Sequence, residues 1–261
     1  MPEKPTAMDP TLFAPGPARD PRFTVKRRFV EMRNFPQGDP QREVEFFHRQ
    51  MHEELNSVEN AARNLADFPD AEWEIRMWLA RQCSDEARHV LMFRQMYERR
   101  GGRIGQYPVL DFQYRICTNI DNLLGRLTVQ NRSFEAGGID AIKVAIDTAR
   151  ADGDEDLALL YESQGADEVV HVRFANEWIK KTVEASPRKA MQMAAALDAA
   201  SRAFSQVMGL EGTVDVDYTA DTAGRLEAGF EESEVKRVYV QSVRRREENL
   251  ARKRHEQRGN E

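Results

Sequence analysis

The sequence predicts an all-α protein organised around a four-helix bundle. Apolar residues recur at the helical period over four long segments, no segment alternates as a strand would, and prolines almost vanish after residue 40. Eight of the eleven prolines, at positions 2, 5, 10, 15, 17, 21, 36 and 40, fall in the first 40 residues. That density is incompatible with a long helix, so residues 1–40 are expected as an extended arm, either mobile or laid over the rest. Residues 41–185 are expected to form the bundle. Residues 186–261 are expected as a helical extension with a basic tail.

Asp39-Pro40 reads as a capping residue followed by proline at the first helical position, with Glu43 and Glu45 in the first turn. The first helix should run to about Leu65 on a stripe of Phe47, Met51, Val58, Ala61 and Leu65. Asp70 is expected to cap the second, which carries Ile75, Leu79, Phe93 and Met96 and stops at Gly101-Gly102. A third helix is expected from Asp111 to Arg150, kinked at Gly137-Gly138. After a turn at Asp152-Gly153, a fourth carries Leu157, Tyr161, Ala175 and Trp178. Ser186-Pro187 should open a fifth helix ending near Met208, and a charged helix is expected over 231–256.

Charged residues make up 31% and hydrophobic residues 41%, the balance of a globular protein rich in amphipathic helices. No apolar run of 18 residues occurs, so no membrane span is expected. The first residues lack the apolar stretch of a secretory signal, and Cys83 and Cys117 have no CxxC neighbour, so a reducing cytoplasm is the expected location. A net charge of −6 argues against a protein that coats nucleic acid. The tail from Lys236 to Arg254, with Arg237, Arg244, Arg245, Arg246, Arg252, Lys253 and Arg254 interleaved with acids, reads as a solvated helix before it reads as a site for an anionic partner.

Each of the four long helices places a carboxylate where its apolar stripe should continue. Glu54 interrupts the first, Glu86 and His89 the second, Glu135 the third, and Glu168 and His171 the fourth. A buried ionised carboxylate costs several kcal/mol unless it is paired or bound to metal. Four of them with two imidazoles call for two divalent cations, which would neutralise the charge and leave both histidines as neutral ligands. Glu54 precedes Glu86 by 32 residues and Glu135 precedes Glu168 by 33, so in antiparallel helices each pair is expected at similar depth. Within each Glu-x-x-His, residues three apart share a helix face. Carboxylates with imidazoles suit iron or manganese and poorly suit soft metals.

Other candidates are weaker. Glu45 and His48 also form a Glu-x-x-His, but it has no partner carboxylate upstream and is read as a surface feature. Glu59 lies off the central stripe and is read as a flanking carboxylate. Tyr161, about two turns before Glu168, reads as a buried tyrosine with a bonded hydroxyl before a redox residue. Cys83, one turn before Glu86, reads as an inert buried thiol before a pocket residue.

With Asp85-Glu86-Ala87-Arg88-His89 and Asp167-Glu168-Val169-Val170-His171 in place, the sequence resembles the ferritin-like di-iron carboxylate superfamily, whose bundles take one Glu from each of two helices and a Glu-x-x-His from each of the others. The first motif is similar to the Asp-Glu-x-Arg-His of bacterial multicomponent monooxygenases. That resemblance implies that Asp85 and Asp167 orient histidines from outside the ligand set, with Arg88 beside them; Val170 stands where a second arginine would match. Residues of about 46 to 182 more closely resemble a ferritin-like family known as domain of unknown function 455, through HEELNSVENA, SDEARHVLMF, RSFEAGGID and ADEVVHVRFANEW. The resemblance implies two Fe ions, or a Mn/Fe pair, that react with dioxygen. The leading expectation is an oxidase or oxygenase drawing on an external electron donor to act on a small organic substrate. The alternatives are an iron-storage ferroxidase or peroxide-detoxifying protein like bacterioferritin or rubrerythrin, and a tRNA-modifying di-iron hydroxylase. The sequence is also compatible with a homodimer.

Overall fold

A computed structural model describes residues 7–209 and 218–259, with side chains as far as Ala251. Pro2 and Pro5 of the arm, and the side chains of Arg252, Lys253 and Arg254 in the basic tail, lie outside the described residues.

Asp39 accepts the Gln41 N–H at 2.8 Å, and Pro40 opens α1 (Pro40–Asp67) where a helix leaves its first donors unpaired anyway. α2 (Trp73–Arg99) packs against α1, with the Phe47 and Phe93 rings 6.3 Å apart, and it stops at Gly101, whose φ of 80° is the left-handed value that favours glycine. Asp70 is not the cap of α2. It sits in the turn closed by Ala71 N–H on the Phe68 carbonyl, and Glu72 precedes the helix without a side-chain cap. Arg76 instead reaches back to the Leu65 and Phe68 carbonyls at 3.0 and 2.9 Å, satisfying the end of α1.

The expected third helix differs more. α3 (Phe112–Thr118) stops, and α4 (Leu123–Val129) restarts on an Asn122 cap that accepts the Gly125 N–H at 2.8 Å. The Asn122 side chain engages a backbone N–H there, and Asn119 donates to the Thr11 carbonyl of the arm at 2.9 Å, so both hold the chain in the break between the two helices. A π-helical segment (Gln130–Glu135) follows, then α5 (Ala136–Ala151). The kink expected at Gly137-Gly138 is absent: both glycines lie in regular helix, and the departure falls just before them. A turn at Gly153 leads to α6 (Glu155–Ala185), and α7 (Ala190–Met208), α8 (Thr222–Glu227) and α9 (Glu232–Gly259) complete the described chain. The all-α class holds. The unexpected strands, β1 (Val25–Lys26) and β2 (Val109–Leu110), pair in parallel, and at two residues each they are too short to show alternation in sequence.

The chain packs as two units, residues 1–130 with 183–211 and residues 131–182 with 212–261. In the first, the arm is laid along α1 and α3. Arg19 pairs with Glu59 and donates to His52 Nε2 at 3.0 Å and to Asn56 Oδ1 at 3.2 Å, Phe23 packs against His48 and His52, and Arg27 grips Asp111 at 2.9 Å. Asn60 and Ser57 of α1 bond the Gln130 side chain at 2.9 and 3.1 Å, fixing the first residue of the π segment. In the second unit, Ala136, Ile139, Val172, Ala228, Phe230 and Val235 form a core. Around it Arg132 bonds Asn176 and Glu234, and buried Arg225 forks onto Asp140 at 2.9 and 2.6 Å while donating to the Ala136 carbonyl at 3.0 Å. Among the described residues no helix is long and apolar enough to cross a membrane.

The Arg225–Asp140 pair yields a stability prediction. Arg225→Met strands a buried carboxylate and should cost about 3–5 kcal/mol, whereas Asp140→Asn with Arg225→Met should cost less because no charge is left unpaired. Urea unfolding at neutral pH measures both. A single variant as stable as the parent would contradict the reading.

Candidate metal centre

α1 carries Glu54, and α2 carries Glu86 and His89 one turn apart on its inner face. His89 Nδ1 lies 3.1 Å from Glu86 Oε2 and 3.4 Å from Glu54 Oε2, so an imidazole and two carboxylates converge. All three are buried, with Glu86 and His89 at 0% exposure. Burial alone would lower the His89 pKa, but hydrogen bonds and charge from Glu54 and Glu86 overcome it and push the imidazole up to about 11. Gln82, one turn before Glu86, donates to Glu86 Oε1 at 3.2 Å.

A second triad is built in residues 131–182. Glu135 ends the π segment, and α6 carries Glu168 and His171, whose Nδ1 lies 3.9 Å from Glu168 Oε2. Asn131 donates to Glu135 Oε2 at 2.9 Å and to the His171 carbonyl at 3.3 Å. These three are also buried. In each triad the ligand atoms lie within 4.8 Å of one another. Two carboxylates and one imidazole are an acceptor set of net negative charge with no thiolate, which fits a divalent iron or manganese ion.

The remaining candidates fall around these triads. Asp85 pairs on its own helix with Arg81 at 3.3 Å and Arg88 at 3.8 Å, and Asp167 is half-buried on α6. Tyr161 is buried on α6. Cys83 is a free thiol whose Sγ lies 3.7 Å from the Val58 carbonyl, and burial, with the Glu86 charge, pushes its pKa up, so it is poorly ionised. Glu59 is the partner of Arg19 in the arm. Glu45 and His48 are not a surface feature. His48 is fully buried beneath Phe23, Tyr97 and Tyr107 and accepts the Gly105 N–H at 3.0 Å, because the arm and the loop after α2 cover that face of α1.

Sequence reasoning missed Gln82 and Asn131. Both occupy stripe positions that an apolar residue would fill, one turn before a candidate ligand, and that interruption was the available signal.

The family described as "Protein of unknown function (DUF455)" matches residues 3–236. No curated protein and no solved structure matches the chain.

His48 and His52, buried imidazoles outside the triads, set an acid limit, and burial pushes His52 down to about 3. Burial holds His48 at about 4, below its ordinary 6.5. Between those values the unfolded chain binds a proton that the folded one does not, so stability rises with pH across the window and is lost as pH falls from about 6.5 to 4. The contribution is on the order of 3 kcal/mol. Denaturant unfolding from pH 7 to 4 should therefore show a shallower decline for His48→Gln; parallel declines in variant and parent would contradict it.

Proposed function

The chain belongs to the family described as protein of unknown function (DUF455), and we propose that it is a ferritin-like di-iron protein that activates dioxygen. The observation that carries this reading is the repetition of one buried ligand set, a Glu from one helix and a Glu-x-x-His from the next, as Glu54 with Glu86 and His89 and as Glu135 with Glu168 and His171. In this reading α1, α2, the helix from Leu123 to Ala151, and α6 are the four members of one bundle, and the two triads share a pair of iron ions or a Mn/Fe pair. The near-equal spacings of 32 and 33 residues support a common depth.

The chain's own residues would do four things. Four carboxylates balance the charge of two divalent ions. His89 and His171 would bind as neutral ligands. Gln82 and Asn131 fix the carboxylates from outside, with Asp85, Arg88 and Asp167 beyond them. Buried Leu79 and Phe93 on α2 and Phe174 and Ile179 on α6 exclude water. When bound, the reduced ions supply electrons to dioxygen, which an external donor must replace for turnover on a small organic substrate.

An enzyme and a storage protein differ in what they retain. The chain, loaded anaerobically with iron(II) and then exposed to air, should consume dioxygen in fixed proportion to its bound iron and stop, keeping two ferric ions. Light scattering should show no shell. Iron accumulating far beyond two ions per chain inside a large assembly would overturn the oxygenase reading in favour of storage.

A further inference from the structure

The outer face of α2 carries a seam that the described residues leave uncovered. Trp73, Met77, Ala80, Ser84, Ala87 and Leu91 are all exposed, Trp73 at 69%, Leu91 at 56% and Met77 at 43%. Single apolar residues on a surface need no explanation, but a continuous line of them does. Their spacing is four, three, four, three and four residues, the interval at which two helices wound about each other meet. The inner face of the same helix, with Ile75, Leu79, Glu86, His89 and Phe93, is already packed into the core. The seam is therefore a second face of α2, available to a partner.

Three features select a second copy of this chain as that partner. The spacing reads the same in both directions, so an antiparallel copy related by a two-fold axis near Gln82 sets Trp73 against Leu91, Met77 against Ala87, and Ala80 against Ser84. Bulk stands at the two ends and small side chains in the middle, which lets the helices approach closely at their crossing and interlock beyond it. Charge is complementary in the same register. Glu74 and Arg88 flank the seam on one side, seven-residue steps apart, and the two-fold brings Glu74 of each copy toward Arg88 of the other. Glu74 has no ion pair among the described residues, and Arg88 has only a long contact with Asp85, at 3.8 Å. Arg81, near the axis, approaches its own counterpart, and its bond to Asp85 at 3.3 Å offsets that charge.

We propose that α2 docks antiparallel on α2 of a second copy through this seam, giving a two-fold dimer. The strip from Trp73 to Leu91 is about 27 Å long and one helix wide, well short of the roughly 800 Å² per partner of a standard interface, so the dimer dissociates in the micromolar range. Glu86 and His89 lie on the opposite side of the helix, so the dimer stands or falls independently of the metal reading.

Sedimentation velocity of the full chain, from low micromolar to several hundred micromolar, tests it. The parent should pass from monomer to dimer across that range. Ala80→Arg forces two like charges into the middle of the seam and should raise the dissociation constant at least about tenfold. Met191→Arg, at an exposed apolar position on α7 outside the seam, should leave it unchanged. Glu74→Arg should weaken the dimer several-fold, and Glu74→Arg with Arg88→Glu should restore it, because the swap rebuilds the pair only between antiparallel copies. A parent that is monomeric at every concentration would overturn the proposal and leave the seam to a different protein. A dimer indifferent to Ala80→Arg, or a charge swap that restores nothing, would overturn it as well. Circular dichroism checks folding, and Ser84→Arg repeats the central test should Ala80→Arg fold poorly.

Discussion

The burial of carboxylates in pairs around a single imidazole is the constraint on which the rest of the molecule depends. Glu54 and Glu86 face His89, and Glu168 and Glu135 are set with His171, all with little or no exposure. Carboxylates kept from water are costly unless a cation or strong donors meet them. The raised pKa of His89 is that demand expressed in the protein itself, since the imidazole is held charged far above its ordinary range. The amides of Gln82 and Asn131 answer part of the same demand without adding charge. Stripe positions that would otherwise be apolar are thus given to a polar device, which makes sense if binding, and not stability alone, shaped them.

The π segment answers to the same constraint. An extra residue in a helical turn shifts the direction of everything after it, and Glu135 is the last residue of that turn. Such a turn persists because its surroundings hold it. Ser57 and Asn60 fix Gln130, Asn176 and Glu234 hold Arg132, and Arg225 caps the Ala136 carbonyl while neutralising Asp140. The C-terminal segment therefore serves the ligand-bearing helix directly: residues 225 and 234 bond the backbone and side chains on either side of Glu135.

Much of this was legible from residues whose physics is local. Asp39-Pro40, Gly101 and Gly153 mark ends and turns because backbone chemistry leaves few alternatives at those positions. The burial of Glu54, Glu86, His89, Glu135, Glu168 and His171 was legible because each falls on the apolar stripe of its helix. Features set by tertiary context were not. Asp70 has the chemistry of a cap, yet α2 begins only at Trp73, after a turn closed by backbone groups. Gly137-Gly138 suggested a kink, but glycine permits one without imposing it, and the departure occurs where side chains pin Gln130 and Arg132. His48 looked exposed because nothing in α1 itself shows that Phe23, some 25 residues earlier in the chain, covers it. Gln82 and Asn131 were visible but uncharged, and an uncharged interruption of a stripe draws less notice than a carboxylate.

The central proposal is that the two triads hold one pair of interacting ions. Iron analysis combined with electron paramagnetic resonance of the air-oxidised, iron-loaded chain tests this most directly. Two ferric ions sharing ligands couple their spins and cancel. The account predicts two iron ions per chain with no ferric signal at low temperature. One iron per chain, or two that give the signal of isolated ferric ions, would contradict it.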